Sequence, residues 1–273
     1  GMIGADVIDG VYKEQGALRR LLLANLLIKT GARGCIFGAS ISTTYSKNVL
    51  TQIAGLPSLS FYVRDPVSQD RFRQAVGEAP ALVADVAFLL EPDITSPAAA
   101  AARHWIEQQK AVGATVLGVN LSGPTLDKIE GDSVRAFATA LSAWLDQDVS
   151  RRIMLLPHDL RPYPAGDVEA TQRCFDLLSK THPGRVEQPA EAIHAWELKA
   201  LAGMMDFVLT GRMHLAIASL GMGVPPLCVA YLDKFEGLFQ HFELDGLVIE
   251  PDHAADKTTL LTRLNEVETR RAE

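Results

Sequence analysis

The feature that most constrains this chain is an alternation in its second half. Apolar runs of strand length at residues 115–120, 152–158, 207–210, 227–231 and 247–250 are separated by segments with helical spacing at 133–146, 167–181, 190–204, 214–222 and 234–242. Strands that alternate with helices cannot pair as hairpins. Each crossover returns the chain parallel to the strand it left, and such a sheet is covered by helices on both faces. The expected class is α/β with a largely parallel sheet.

The first half follows the same rhythm over fewer elements. Residues 5–8 read as a strand closed by Asp9-Gly10, 17–30 as a helix stopped by Gly31, 34–40 as a strand and 47–55 as a short helix. A strand at 59–63 leads into Arg64-Asp65-Pro66, where Asp65 is placed to cap a helix that Pro66 opens and that runs to residue 76. A further strand is expected at 82–90, with Asp85 interrupting it. Residues 91–97 hold two prolines and no periodicity, which puts a domain boundary there: 1–95 as a short amino-terminal unit, 96–273 as the larger one, with 98–112 a bridging helix. The smaller unit reads as an incomplete sheet at its amino end.

Net charge is −7, so the chain lacks the basic surface that unspecific nucleic-acid binding requires. An anionic ligand would have to be held by a local cluster of Arg or Lys, which makes the position of each arginine informative. Cys35, Cys174 and Cys228 lie far apart without a C-x-x-C pattern and read as small buried hydrophobes in a reducing compartment. The apolar stretch 21–28 is too short to span a bilayer and no basic segment precedes it. The expectation is a cytoplasmic protein, at most peripheral on an inner membrane.

In open α/β sheets ligands gather at the carboxyl ends of the strands. Thr210-Gly211-Arg212-Met213-His214 is such an end: a strand, a glycine turn and the first turn of an apolar helix, where free N–H groups and the positive dipole end favour an anion. Arg212 can add a two-pronged clamp, and His214 titrates near neutrality. The plainer alternative pairs Arg212 with an acid and leaves His214 as a cap. Arg64 occupies the equivalent place in the first half. Lys234 opens a helix, where the dipole disfavours a cation lacking an anionic partner. His158 and Asp159 end another strand and are candidates to line a cleft. Asp85, inside an apolar run, needs a partner, either structural or substrate.

Other chemistries leave no trace. P-loop, dinucleotide and zinc patterns are all missing, so no metal and no cofactor are expected. Gly38-Ala39-Ser40-Ile41-Ser42 comes near the hydrolase elbow, and the order Ser40, Asp85, His214 imitates a triad, but His214 precedes two more strands where that pattern wants a late loop. Ser40 stays a possible cleft residue.

Phe61-Tyr62-Val63-Arg64-Asp65-Pro66-Val67-Ser68, Thr210-Gly211-Arg212-Met213-His214, and Gly221-Met222-Gly223-Val224-Pro225 followed by Tyr231 to Lys234 together resemble, in order and spacing, the polysaccharide pyruvyl transferase family. The resemblance implies two facing Rossmann-like domains, as in GT-B glycosyltransferases, and transfer of a pyruvyl group from phosphoenolpyruvate to a sugar or lipid-linked glycan as a ketal. It assigns donor binding to Arg64, Arg212, Met213, His214 and Lys234, with His214 and Arg212 carrying the chemistry. Met213 stands where the family has Leu, a change that conserves volume. The rival readings are a glycosyltransferase using a nucleotide-sugar on the same fold, and a binding protein that kept the fold without catalysis.

Overall fold

The computed structural model describes residues 1–230, 232–244 and 246–270, except the side chains of 232–234 and 236. It divides into two compact units: Gly1–Phe88 with Asp233–Asp245, and Leu89–Leu232 with Gly246–Glu273. Among the described residues, no helix is long and apolar enough to cross a membrane.

The first unit contains strands β1 (Met2–Ala5), β2 (Gly34–Ala39), β3 (Leu59–Val63) and β4 (Ala81–Leu82), all parallel and in that spatial order. Helices α1 (Glu14–Lys29), α2 (Lys47–Ala54) and α3 (Pro66–Val76) connect them. Ile36, Ala39, Leu59 and Val63 from the strands meet Ala17, Leu21, Val49, Leu50, Ile53 and Phe72 from the helices in one core. Helix α3 begins as the sequence dictates, with Asp65 accepting a hydrogen bond from Ser68 N at 2.7 Å and Pro66 in the first turn.

Two expectations fail here. The first strand lies at 2–5 instead of 5–8: Ala5 adopts φ 42°, which ends the strand, and Asp9 then ties Ser42 N at 2.9 Å so that Ile8 drops into the core from a turn. The strand expected at 82–90 stops at Leu82 and gives way to a 3₁₀ turn, Val86–Leu89. Its cause is Asp85, whose carboxylate accepts from Ala87 N at 2.8 Å and from Arg64, bending the chain out of the sheet.

The second unit holds helices α4 (Pro97–Ala111), α5 (Gly123–Leu126), α6 (Ser133–Gln147), α7 (Val168–Thr181), α8 (Ala195–Ala202) and α9 (Met213–Gly221), while α10 (Leu232–His241) follows β9. Its strands are β5 (Thr115–Asn120), β6 (Arg151–Leu155), β7 (Val186–Glu187), β8 (Phe207–Thr210), β9 (Pro226–Val229) and β10 (Val248–Ile249). They form a parallel sheet of order β10-β9-β8-β5-β6-β7. Counted from its first strand, this is the 3-2-1-4-5-6 order of the doubly wound sheet. One face packs against Ile106, Leu198, Leu201 and Leu215. The other meets Trp144 of α6, whose ring lies edge-on to Phe207 at 5.8 Å. Helices α11 (Pro251–Ala255) and α12 (Lys257–Arg270), which the sequence reading left unassigned, close that side: Glu268 accepts from Trp144 Nε1 at 3.0 Å and pairs with Arg151 at 2.7 Å. Cys174 and Cys228 are buried, and burial pushes the Cys174 thiol up to about 12.

The boundary falls between Phe88 and Leu89, ahead of the expected 95/96, because the proline segment is anchored to the second unit. Buried Lys199 donates to the Leu90 carbonyl at 2.6 Å, and Ile94 packs on the core. The Glu197 carboxylate accepts from Thr95 N, Ser96 N and His194 N at 3.0, 2.5 and 2.8 Å. Residues 233–245 return to the first unit, where α10 approaches so closely that a Cβ on Gly237 would sit 2.5 Å from Asp65 Oδ1.

Burial alone would raise the Glu197 carboxyl, but its hydrogen bonds outweigh that and hold it at about 2, against an ordinary 4.5. Its contribution to stability is therefore complete above the ordinary value and is lost as pH falls toward the folded value. Glu197→Gln should lower Tm by roughly 5 °C at neutral pH. The gap from wild type should narrow on acidification below 4.5; a gap independent of pH in thermal melts would show that the charge is immaterial.

Candidate functional site

The chain leaves β5 toward one edge of the second sheet and enters β8 on the way to the other. These two strands are neighbours, with Asn120 opposite Thr210 at their carboxyl ends. The strand order reverses between them, and in doubly wound sheets the crevice at such a switch is where ligands bind. Thr210 Oγ1 donates to Asn120 Oδ1 at 3.1 Å and accepts from Arg212 N at 2.9 Å, which sets the turn. Only glycine fits at position 211, since a Cβ there would lie 2.6 Å from both Ser122 Cβ and Thr125 Oγ1. Gly166 is equally constrained, its Cβ position being 1.6 Å from the Arg161 carbonyl oxygen.

Asp167 is the centre of this arrangement. It stands just before α7 and its side chain caps nothing there. The fully buried carboxylate turns instead toward the crevice and accepts from Asn120 Nδ2 at 2.9 Å, Gly123 N at 3.1 Å, His158 N at 3.2 Å and Asp159 N at 3.0 Å. Arg212 completes its shell with Nε at 3.1 and 3.2 Å and Nη2 at 2.6 Å. Nη2 also donates to the Ala165 carbonyl. Nη1 stands 3.4 Å from Asp159 Oδ2. Asp159 is gripped more tightly by Arg161, at 2.6 to 3.1 Å, and that fork, with Arg212 behind it, lowers the Asp159 carboxyl to about 2.

Arg212 thus meets an acid, the plainer of the two expectations, but a buried one at the ligand end of the sheet. His158 lies three residues beyond β6, which ends at Leu155 short of the expected 158. Burial, then the charge of His214, lowers its pKa to about 4, with Arg212 acting in the same sense. His158 is accordingly neutral around pH 7. His214 is exposed in the first turn of α9, which has no side-chain cap. Met213, half-buried, opens the same helix. The second unit therefore brings together His158, Asp159, Arg212, Met213 and His214, and adds Asn120 and Asp167, which the sequence reading did not single out.

In the first unit Arg64 is buried. Its Nη1 meets Asp85 Oδ2 at 2.5 Å and its Nε donates to Ser40 Oγ at 2.7 Å, while Ser40 donates to Asp65 at 3.3 Å. Asp85 is thus structural, and the triad order Ser40, Asp85, His214 has no counterpart: Ser40 has no imidazole partner among the described residues. Tyr231 and the side chain of Lys234 lie outside the described residues. Among the described residues no group of three His, Cys, Asp or Glu side chains could hold a metal.

Parallel sheets of this order define a Rossmann-like protein of the GT-B type. Solved structures with the same fold include one described as a UDP-N-acetylglucosamine 2-epimerase from Listeria monocytogenes, with a TM-score of 0.56 at 12% identity over 94% of this chain and 72% of that one. A second is the S. aureus MnaA–UDP complex, with a TM-score of 0.51 at 10% identity over 91% and 69%. Identities this low speak for the fold alone. No curated protein matches the chain. The sequence model of the polysaccharide pyruvyl transferase family matches residues 3–233, and the chain belongs to that enzyme family.

Asp167 and Arg212 should be energetically coupled. Asp167→Ala leaves a guanidinium with no buried partner and should cost roughly 3–5 kcal/mol in urea unfolding. Removing Arg212 as well should recover part of that loss; strict additivity in the double-mutant cycle would refute the coupling. The His158 imidazole should titrate at about 4 by NMR. Because that lies below the ordinary 6.5, the unfolded chain takes up a proton that the folded one refuses, so stability falls as pH drops from 6.5 toward 4. His158→Gln should flatten that slope, and an unchanged slope would assign it elsewhere.

Proposed function

We propose that this enzyme transfers the pyruvyl group of phosphoenolpyruvate to a sugar of a cell-surface polysaccharide or its lipid-linked precursor, in the cytoplasm, needing no metal or other cofactor. The observation that carries the reading is the pairing of a fixed guanidinium with two imidazoles at the carboxyl ends of β6 and β8. Phosphoenolpyruvate carries a phosphate and a carboxylate, and an anion there meets the Nη1 edge of Arg212 and the amino end of α9. The Nη1 contact with Asp159 is the longest that Arg212 makes, and Asp159 retains Arg161 when an anion takes its place. Arg64, Met213 and Lys234 enter as donor ligands through the family resemblance.

In this reaction a sugar hydroxyl adds to C2 of the enol while C3 gains a proton and becomes a methyl group. Phosphate then departs with the electrons of its C–O bond. A second hydroxyl closes the ketal and loses its proton. His214 supplies the proton, and neutral His158 is suited to accept one. A bound phosphate dianion beside His214 would favour its charged form, so that the acid is loaded in the complex.

Phosphate release from phosphoenolpyruvate with candidate glycan acceptors tests the reaction, and release of UDP from a nucleotide-sugar in its place would favour the glycosyltransferase reading. Arg212→Ala should abolish donor binding. His214→Gln should keep donor affinity within a few-fold, cut the rate by roughly a hundredfold or more and remove one limb of the pH–rate profile. Loss of affinity and rate in equal proportion would make His214 a donor ligand and move the proton to another group.

A further inference from the structure

Helix α1 points leucines in two directions. Ala17 and Leu21 are buried, and Leu18 and Ile28 pack partly into the core of the first unit. On the opposite side Leu22, Leu23, Leu26 and Leu27 are 58, 60, 54 and 53% exposed. At 100° per residue Arg19 falls in the middle of this outward face, with Arg20 and Lys29 on its two margins. All three cations are exposed, and none pairs with a carboxylate among the described residues. Residues 13–33 carry Lys13, Arg19, Arg20, Lys29 and Arg33 against one acid, Glu14, in a chain whose net charge is −7. Glu14 itself accepts from Asn48 at 2.9 Å. Beside this face, toward α2, lies a groove of mixed character lined by Leu18, Leu22 and Leu56 together with Gln15, Asn25 and Gln52.

The combination is that of a helix lying in a lipid interface: an apolar face at the acyl boundary, with Arg20 and Lys29 reaching to headgroup phosphates from its edges and Arg19 extending its long stem outward to them from within the face. We propose that the outward face of α1 docks this protein on an anionic bilayer, with Leu22, Leu23, Leu26 and Leu27 in the interface and Arg19, Arg20 and Lys29 on lipid phosphates. A second copy of the chain is the poorer occupant. Each copy brings the same surplus to the seam, five basic residues against one acid over 13–33, so a pairing of copies concentrates like charge, whereas an anionic surface answers all three cations at once. The inference stands on α1 alone and is independent of the reaction proposed above.

Vesicle co-sedimentation of the full chain tests it without any turnover. The protein should pellet with phosphatidylcholine vesicles containing phosphatidylglycerol, much less with phosphatidylcholine alone, and less as salt is raised. Arg19→Gln with Arg20→Gln should weaken partitioning by roughly tenfold or more. Replacing the four exposed leucines by Gln should abolish it, with circular dichroism confirming an intact fold. Absence of binding, equal binding to neutral vesicles, or indifference to either set of substitutions would overturn the proposal. A dimer in light scattering that the leucine substitutions dissolve, without vesicle binding, would overturn it in favour of self-association.

Discussion

The interaction on which the second unit's crevice depends is the pair of buried Asp167 and part-buried Arg212. A carboxylate with no access to water is costly unless every lone pair has a donor. Asp167 meets that condition by drawing on three separate segments: Asn120 at the end of β5 with Gly123 beyond it, His158 and Asp159 after β6, and Arg212 after β8. None of these segments can move far without leaving a charge uncompensated. Arg212, a long side chain with many rotamers, is held in one orientation as a result, with only Nη1 loosely engaged. Rigidity of this kind is what a guanidinium needs to meet an anion without first losing conformational entropy.

A similar solution appears at the strand end of the first unit. Arg64 lies between Ser40 and Asp85, and Asp65 is tied in turn to Ser40 and to Ser68. Each unit thus sets an arginine at the carboxyl end of its sheet, buried for Arg64 and part-buried for Arg212, and matches it with acid. The charge count constrains ligand binding. A chain with net charge −7 whose strand-end arginines are already paired leaves only exposed edges and helix ends, not surplus positive charge, to meet an anion.

Most of the fold was legible because it rests on local signals. Asp65-Pro66 announced α3, and the apolar runs at 59–63, 115–120 and 207–210 became β3, β5 and β8 within their expected limits. Signals that depend on distant partners were misread. Asp85 looked like an interruption within a strand, yet its bond to Arg64 ends the strand. Residues 91–97 looked like a linker because prolines break periodicity, but Glu197, about a hundred positions later, anchors them. The missed residues of the site have the same origin. Asp167 sits where a helix cap is expected, and only the return of β8 beside β5 shows that its side chain serves Arg212.

The two imidazoles follow from this framework. Asp167 accepts the backbone N–H of His158, not its ring, so it fixes where the residue sits without supplying a hydrogen-bonded charge to the imidazole. Burial then favours the neutral ring, and a protonated His214 opposes a second cation beside it. Two equal histidines would share one proton ambiguously. Here His158 is held neutral by burial while His214 is exposed, so their environments differ. That difference arises mainly from depth: His158 follows β6 into a part-buried position, whereas the first turn of α9 leaves His214 exposed.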